Sequence, residues 1–166
     1  MASFPNMNDF REMKAGIGAL VGLAVTGFVS TIALGSSSDV PLLVAPMGAA
    51  AVLLFAVEKS PLARPWNVLG GNMLSAFVGV TAAILVANPV VASALACSGA
   101  IIVMMLLRCV HPPGGAVAMT AVLGGPSIQN AGYGFVLWPV GINCVLLLTM
   151  AILFTRLLRE RTEVAA

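Results

Sequence analysis

Charge is what this 166-residue chain has least of: 8% of its residues are charged and 60% are hydrophobic, and the mean hydropathy is +1.04. Soluble domains carry roughly a quarter charged residues, and a chain of this size cannot hide so much apolar surface in a water-facing globule. A soluble fold is excluded, and the bilayer is the expected solvent. The net charge of +2, with no interleaving of basic and aromatic residues, excludes a nucleic-acid partner. The three cysteines, Cys97, Cys109 and Cys144, sit in apolar runs without CxxC spacing or neighbouring carboxylates. They read as small buried hydrophobes, and neither a disulfide framework nor a metal site is expected. There is no HExxH, no Ser-His pairing and no acid inside the apolar runs for the single histidine to use. An intramembrane enzyme is therefore not expected, and no catalytic residue or cofactor is assigned.

Apolar length is what remains, and the few charges divide it. Uncharged runs cover Ala15–Ser38, Val40–Val57, Pro65–Leu107 and Cys109–Thr155. A spanning helix needs about 20 apolar residues. The first run exceeds the roughly 7–15-residue core of a signal peptide, although Ala33 and Gly35 suit a cleavage site, and it is read as a retained helix. The third run is divided by Asn88-Pro89 and the fourth by Gly124–Gly132. Six segments result, at 15–34, 41–57, 67–87, 90–108, 111–124 and 133–155. This arrangement puts all eight Lys and Arg residues on one face: Arg11, Lys14, Lys59, Arg64, Arg108, Arg156, Arg159 and Arg161. The opposite loops, 35–40, 88–89 and 124–132, carry only Asp39. The positive-inside rule then predicts cytoplasmic termini, in a bacterial inner membrane or its equivalent. Trp66 at one boundary, with Tyr133 and Trp138 near the other, suits an interfacial aromatic belt. A single transmembrane domain over 1–166 with short cytoplasmic tails is expected.

Two proline-glycine stretches sit at matching places. "APMGAAAVLL" from Ala45 aligns with "HPPGGAVAMT" from His111, and "PWNVLGGN" (65–72) resembles "LWPVGIN" (137–143), which pairs Asn72 with Asn143. The chain is read as an all-α membrane protein of two three-segment repeats, about 15–87 and 90–155. Three passes is an odd number, so the halves are inverted, an arrangement in which transporters hold substrate near the midplane. Proline suits a helix start. Short helices are therefore predicted from Pro46 to about Val57 and from Pro112 to about Leu123, each roughly 18 Å long and too short to cross alone. Their N-termini are expected to face each other and to favour an anion. Gly48, Gly114 and Gly115 would let it approach the backbone.

The candidate binding residues are thus Ala45, Pro46, Met47, Gly48, Arg108, His111, Pro112, Pro113, Gly114 and Gly115, with Asn72 and Asn143 as further candidates. Each has a plainer reading. Arg108 either attracts an anion or snorkels to the headgroups. His111 either shares a proton with the anion or caps a helix. Asn72 and Asn143 either line a pathway or hold helices together. Gly18-x-x-x-Gly22 and Gly71-x-x-x-Ser75-x-x-x-Gly79 predict close helix packing and make a homo-oligomer plausible.

"HPPGGA" at 111–116, "PWNVLGGN" at 65–72 and "APMGAAAVLLF" at 45–55 resemble the HPP family of integral membrane proteins, over about Met13 to Leu158. The resemblance implies a bundle usually described as four transmembrane segments. It also implies a small-anion transporter, with nitrite suggested by plant and cyanobacterial relatives. A membrane scaffold or assembly partner is the alternative.

Overall fold

Proline punctuates this chain, and nearly every helix starts at one. The computed structural model describes residues 11–34 and 44–164, with side chains over 12–32 and 44–157. The expected loop 35–40 with Asp39, the start of the second segment, and the side chains of Arg11, Arg159 and Arg161 lie outside these. Every element among the described residues is helical. In order they are α1 (Arg11–Leu34), α2 (Pro46–Ala51), α3 (Pro65–Leu85), α4 (Pro89–Leu106), α5 (Pro112–Leu123), α6 (Pro126–Ala131) and α7 (Ile142–Val164). A π-helical turn, Val52–Ala56, prolongs α2, a 3-10 turn spans Pro61–Ala63, and a second π-helical turn, Val136–Gly141, leads into α7. Pro46, Pro61, Pro65, Pro89, Pro112 and Pro126 all occupy first positions, where the missing N–H is no loss and the fixed φ is already helical. Asn88 completes the start of α4, its side chain accepting from Val90 N at 3.0 Å and Val91 N at 3.1 Å, the usual cap chemistry.

Four helices are long and apolar enough to cross a bilayer: Glu12–Ile32, Pro65–Leu85, Pro89–Leu106 and Val136–Leu157. The helices starting at Pro46 and Pro112 are short, as the sequence predicts, so the six segments resolve into four spans and two short helices. Two boundaries differ from expectation. The stretch 124–132 is not all loop: it holds α6, and Gln129 Nε2 donates to the Val122 carbonyl at the end of α5 at 2.9 Å. The last segment is not one helix from 133 to 155. Pro139 cannot donate to the ladder, Trp138 is extended (φ −136°, ψ 120°), and regular α-helix resumes at Ile142. Trp138 also leaves the expected aromatic belt, because its indole Nε1 is buried. Trp66 and Tyr133 are exposed, and Tyr133 stacks on Phe77 with ring centroids 5.0 Å apart.

The two small-residue patterns are used differently. A Cβ on Gly79 would lie 2.8 Å from the Ala118 Cα, and one on Gly71 would lie 2.7 Å from both the Cys109 carbonyl oxygen and the His111 Cβ. The Gly71-Ser75-Gly79 stripe therefore brings α3 into backbone contact with α5 and the segment before it. Gly18 and Gly22 instead form a slot for side chains: a Cβ on Gly18 would lie 2.6 Å from the Phe55 ring and 2.8 Å from the Phe154 ring. Those two rings meet edge to face at 5.9 Å.

Contacts also place the charges. Thr155 Oγ1 donates to Glu58 at 3.3 Å, Trp66 Nε1 donates to the Leu107 carbonyl at 3.2 Å, and Gly18 lies against Phe154. Lys14, Lys59, Arg64, Arg108 and Arg156 consequently gather at one end of the bundle.

Candidate functional site

The two sequence motifs meet at one crossing. Gly71 and Ser75 on α3 face Gly114 on α5: a Cβ on Gly114 would sit 2.6 Å from Ser75 Oγ and 2.9 Å from the Gly71 carbonyl oxygen. Glycine is required at both places because backbone fills the space on the other side. The first turn of α3 then clamps the connection between α4 and α5. Trp66 holds the Leu107 carbonyl, and Asn67 Nδ2 donates to the Val110 carbonyl at 2.7 Å. The ring of His111, fully buried, reaches the Leu62 carbonyl through Nδ1 at 2.9 Å. Asn67 and Leu62 are parts of this arrangement that sequence reasoning missed, and Ser75 entered there only as a packing residue. Asn67 lies inside the quoted "PWN", but nothing local says that its amide serves a loop 43 positions away.

Arg108 and His111 are three positions apart, yet they are not brought together. Arg108 is exposed, at φ +53°. Arg108 N donates to the Met105 carbonyl and Cys109 N to the Met104 carbonyl, at 3.2 and 2.9 Å. This is a Schellman ending of α4, with Arg108 in the left-handed position that glycine normally fills. Cys109 and Met104, both buried, make the apolar contact that accompanies such an ending. A cation past a helix C-terminus also complements the dipole. The boundary role weighed for Arg108 thus has a concrete geometry.

The two short-helix starts carry fewer free donors than their position promised. Pro112 and Pro113 have no N–H, and Gly114 N is bonded to the His111 carbonyl at 2.8 Å. At α2, Met47 N and Gly48 N are bonded to the Val44 and Ala45 carbonyls at 2.9 and 3.0 Å. The dipole ends remain, but the nearest N–H groups are taken. Pro46, Met47, Pro113 and Gly114 are buried, Gly115 is half-buried, and Ala45, Gly48 and Pro112 are exposed. Gly48 faces open space, with nothing within 4 Å of the point where a Cβ would stand. The two short helices share one apolar cluster through Met47, Ala50, Val117 and Ala121.

Side chains supply the polar groups instead. Asn72 and Asn143 are both fully buried. Asn72 Nδ2 donates to the Val68 carbonyl at 2.9 Å and to Cys144 Sγ at 3.3 Å, tying α3 to α7. Asn143 Oδ1 accepts from Ser30 Oγ at 3.1 Å, tying α7 to α1. Each therefore does the packing work considered for it, and each keeps one unsatisfied atom. The buried polar atoms without a partner are Asn72 Oδ1, Ser75 Oγ, His111 Nε2, Trp138 Nε1 and Asn143 Nδ2. Leaving such a group unpaired costs about 1–3 kcal/mol. Asn72 and Ser75 both lie on α3, Trp138 lies in the π-helical turn before α7, and Asn143 lies in the first turn of α7. Above and below this layer lie two clefts. One, of about 700 Å³, includes Leu54, Glu58, Lys59, Pro65, Leu148 and Arg156. The other, of about 250 Å³, lies at the far end of α3 and includes Val80, Val86, Ala121, Val122 and Gln129. Among the described residues no three His, Cys, Asp or Glu side chains converge.

A family model described as "HPP, transmembrane region" matches residues 5–163. Two transmembrane proteins of Dictyostelium discoideum are similar to the chain. One is 35% identical over 129 residues, covering 75% of this chain and 45% of the relative. The other is 36% identical over 123 residues, covering 72% and 39%. The chain spans less than half the length of these curated relatives. No solved structure matches it. The crossing that joins the His-Pro-Pro stretch to the Trp-Asn stretch lies within a match over almost the entire sequence, and the chain belongs to the HPP family of integral membrane proteins.

Proposed function

We propose that this protein carries a small monovalent anion across the membrane, with nitrite the substrate that the family resemblance favours. The observation that carries the reading is the chemistry of the unpartnered buried atoms. Ser75, Trp138 and Asn143 offer donors, and His111 becomes one on protonation. Glu12 and Glu58, the acids whose side chains are described, are both exposed. Asn72 Oδ1 is left over as an acceptor, but three donors outnumber it, and with no buried carboxylate among the described residues the balance favours an anion over a cation. The anion would pass from the cleft beside Lys59 and Arg156 to the layer around residues 71–75, and on to the cleft beside Gln129. Arg108, exposed at the basic end, would raise the local anion concentration rather than bind within.

The inverted repeat belongs to this reading. Long, short and long helices follow in each half: α1, α2, α3, then α4, α5, α7. The first helix of each half packs against the last helix of the other, α1 on α7 and α4 on α3. With the basic residues at one end, the chain returns through each short helix, which makes six passes and puts both termini in the cytoplasm. A plasma membrane or its equivalent is the expected site, and a homo-oligomer fits the apolar outer faces.

The test is flux into liposomes containing the purified protein. Nitrite uptake above that of protein-free vesicles is expected, and Ser75→Ala, which deletes a hydroxyl without a partner, should slow it. Removing an unsatisfied polar atom from a purely structural position would leave stability unchanged or raise it. Slower uptake with an undiminished melting temperature is therefore the signature sought. Absence of flux for nitrite, nitrate, formate and chloride would sink the transport class and leave the scaffold alternative.

A further inference from the structure

The neutral form of His111 is the wrong partner for an anion. Its Nδ1 lies 2.9 Å from the Leu62 carbonyl oxygen. A carbonyl only accepts, so Nδ1 carries the hydrogen, and Nε2 of the neutral ring presents a lone pair. That lone pair is buried and has no protein partner, and it repels an anion. A protonated Nε2 donates to one through a charge-assisted hydrogen bond. Neither charge is stable alone in an apolar interior, whereas the pair is neutral.

Among the described residues no built-in counter-charge replaces the anion. On the turn that bonds the ring, the flanking groups Glu58, Lys59 and Arg64 are exposed, and Glu58 accepts from Thr155. Neither α3 nor α5 carries a titratable residue. The segment of the histidine itself adds exposed Arg108 and buried Cys109, α4 adds half-buried Cys97, and α7 adds buried Cys144 and exposed Arg156.

We propose that proton and anion enter the interior as a pair, one proton on His111 Nε2 for each monovalent anion, so that transport is electroneutral. The step balances simply. Nε2 gains a proton from the entry cleft and donates it in a hydrogen bond to the anion. Both are released on the far side, and the neutral ring returns. This rests on the anion-transport reading above and names its coupling.

The experiment loads liposomes holding the full chain with a pH-reporting dye and clamps the membrane potential with valinomycin and potassium. Initial nitrite uptake is measured against protein-free vesicles, which account for unaided passage of nitrous acid. The expected result is acidification of the lumen by one proton per nitrite, at a rate indifferent to the sign of the potential and faster as the outer pH falls. Uptake that follows the potential and leaves the lumen pH unchanged overturns the coupling while leaving transport standing. Absence of uptake for every anion tried removes the transport reading itself. In His111→Asn the amide nitrogen replaces Nδ1 and keeps the bond to Leu62, but no proton can be held. Proton movement should vanish and nitrite uptake should fall about tenfold, the loss of one charge-assisted bond. Retained proton movement in that variant overturns the assignment to His111. If His111→Asn does not fold, the wild-type measurements decide alone.

Discussion

Replacing Gly79 by alanine tests whether α3 and α5 are held backbone to backbone. The new Cβ would fall 2.8 Å from the Ala118 Cα and 2.9 Å from its carbonyl carbon, and closer still to the oxygen. Ordinary contact begins at 3.4 Å, and the obstacle is main chain, which has no rotamer to retreat into. The helices must part by roughly half to one ångström, a gap that forfeits a quarter to a half of each contact along the crossing. Overpacking of this kind costs about 1–3 kcal/mol, against which alanine returns about 0.5–1 kcal/mol of helix preference. For a chain of this size the melting temperature should drop by several degrees, at about 2–4 °C per kcal/mol. Gly18→Ala should cost less, because its neighbours are the Phe55 and Phe154 rings, which can turn aside. Gly48→Ala meets nothing within 4 Å, so it should raise the melting temperature by a few degrees through helix preference alone. If the start of α2 borders the anion pathway, that same stabilised variant should transport nitrite more slowly. Thermal unfolding in detergent, read by tryptophan fluorescence, ranks the three. An unchanged or raised midpoint for Gly79→Ala would refute backbone contact as the reason for glycine there.

Three further outcomes follow from the same geometry. Arg108→Gly should stabilise the protein by about 1 kcal/mol, since glycine occupies the left-handed ending of α4 without strain, and thermal unfolding checks it. Asn67→Ala removes the bond to the Val110 carbonyl and should cost about 1 kcal/mol, with faster amide hydrogen exchange confined to the connection between α4 and α5. In a background with Cys97, Cys109 and Cys144 changed to serine, Lys59→Cys, Arg108→Cys and Arg156→Cys should react with an impermeant maleimide from one side only. Asn130→Cys should react from the other, and labelling of Lys59→Cys and Arg156→Cys from opposite sides would overturn the six-pass reading.

The sequence by itself determined the solvent, the long helices and the punctuation. Runs such as Pro89–Leu106 have one stable state in a bilayer, because a helix alone satisfies its own backbone there. Pro46, Pro89 and Pro112 start helices because the ring fixes φ locally. The grouping of the basic residues was legible too, since one charge at a run's end marks a boundary. Tertiary structure alone decided which groups meet. Nothing near Asn67 or Leu62 announces a bond to Val110 or His111, because hydrogen bonds across tens of residues depend on how helices are set against each other. The same holds for the two glycine stripes. Gly18-x-x-x-Gly22 and Gly71-x-x-x-Ser75-x-x-x-Gly79 look alike on paper, yet one receives phenylalanine rings and the other a neighbouring backbone. The double proline leaves the first two positions of α5 without an N–H, and the fold bonds the next, on Gly114, to the His111 carbonyl. The polar atoms left over reside on Asn72, Ser75, His111, Trp138 and Asn143, where packing denies them partners.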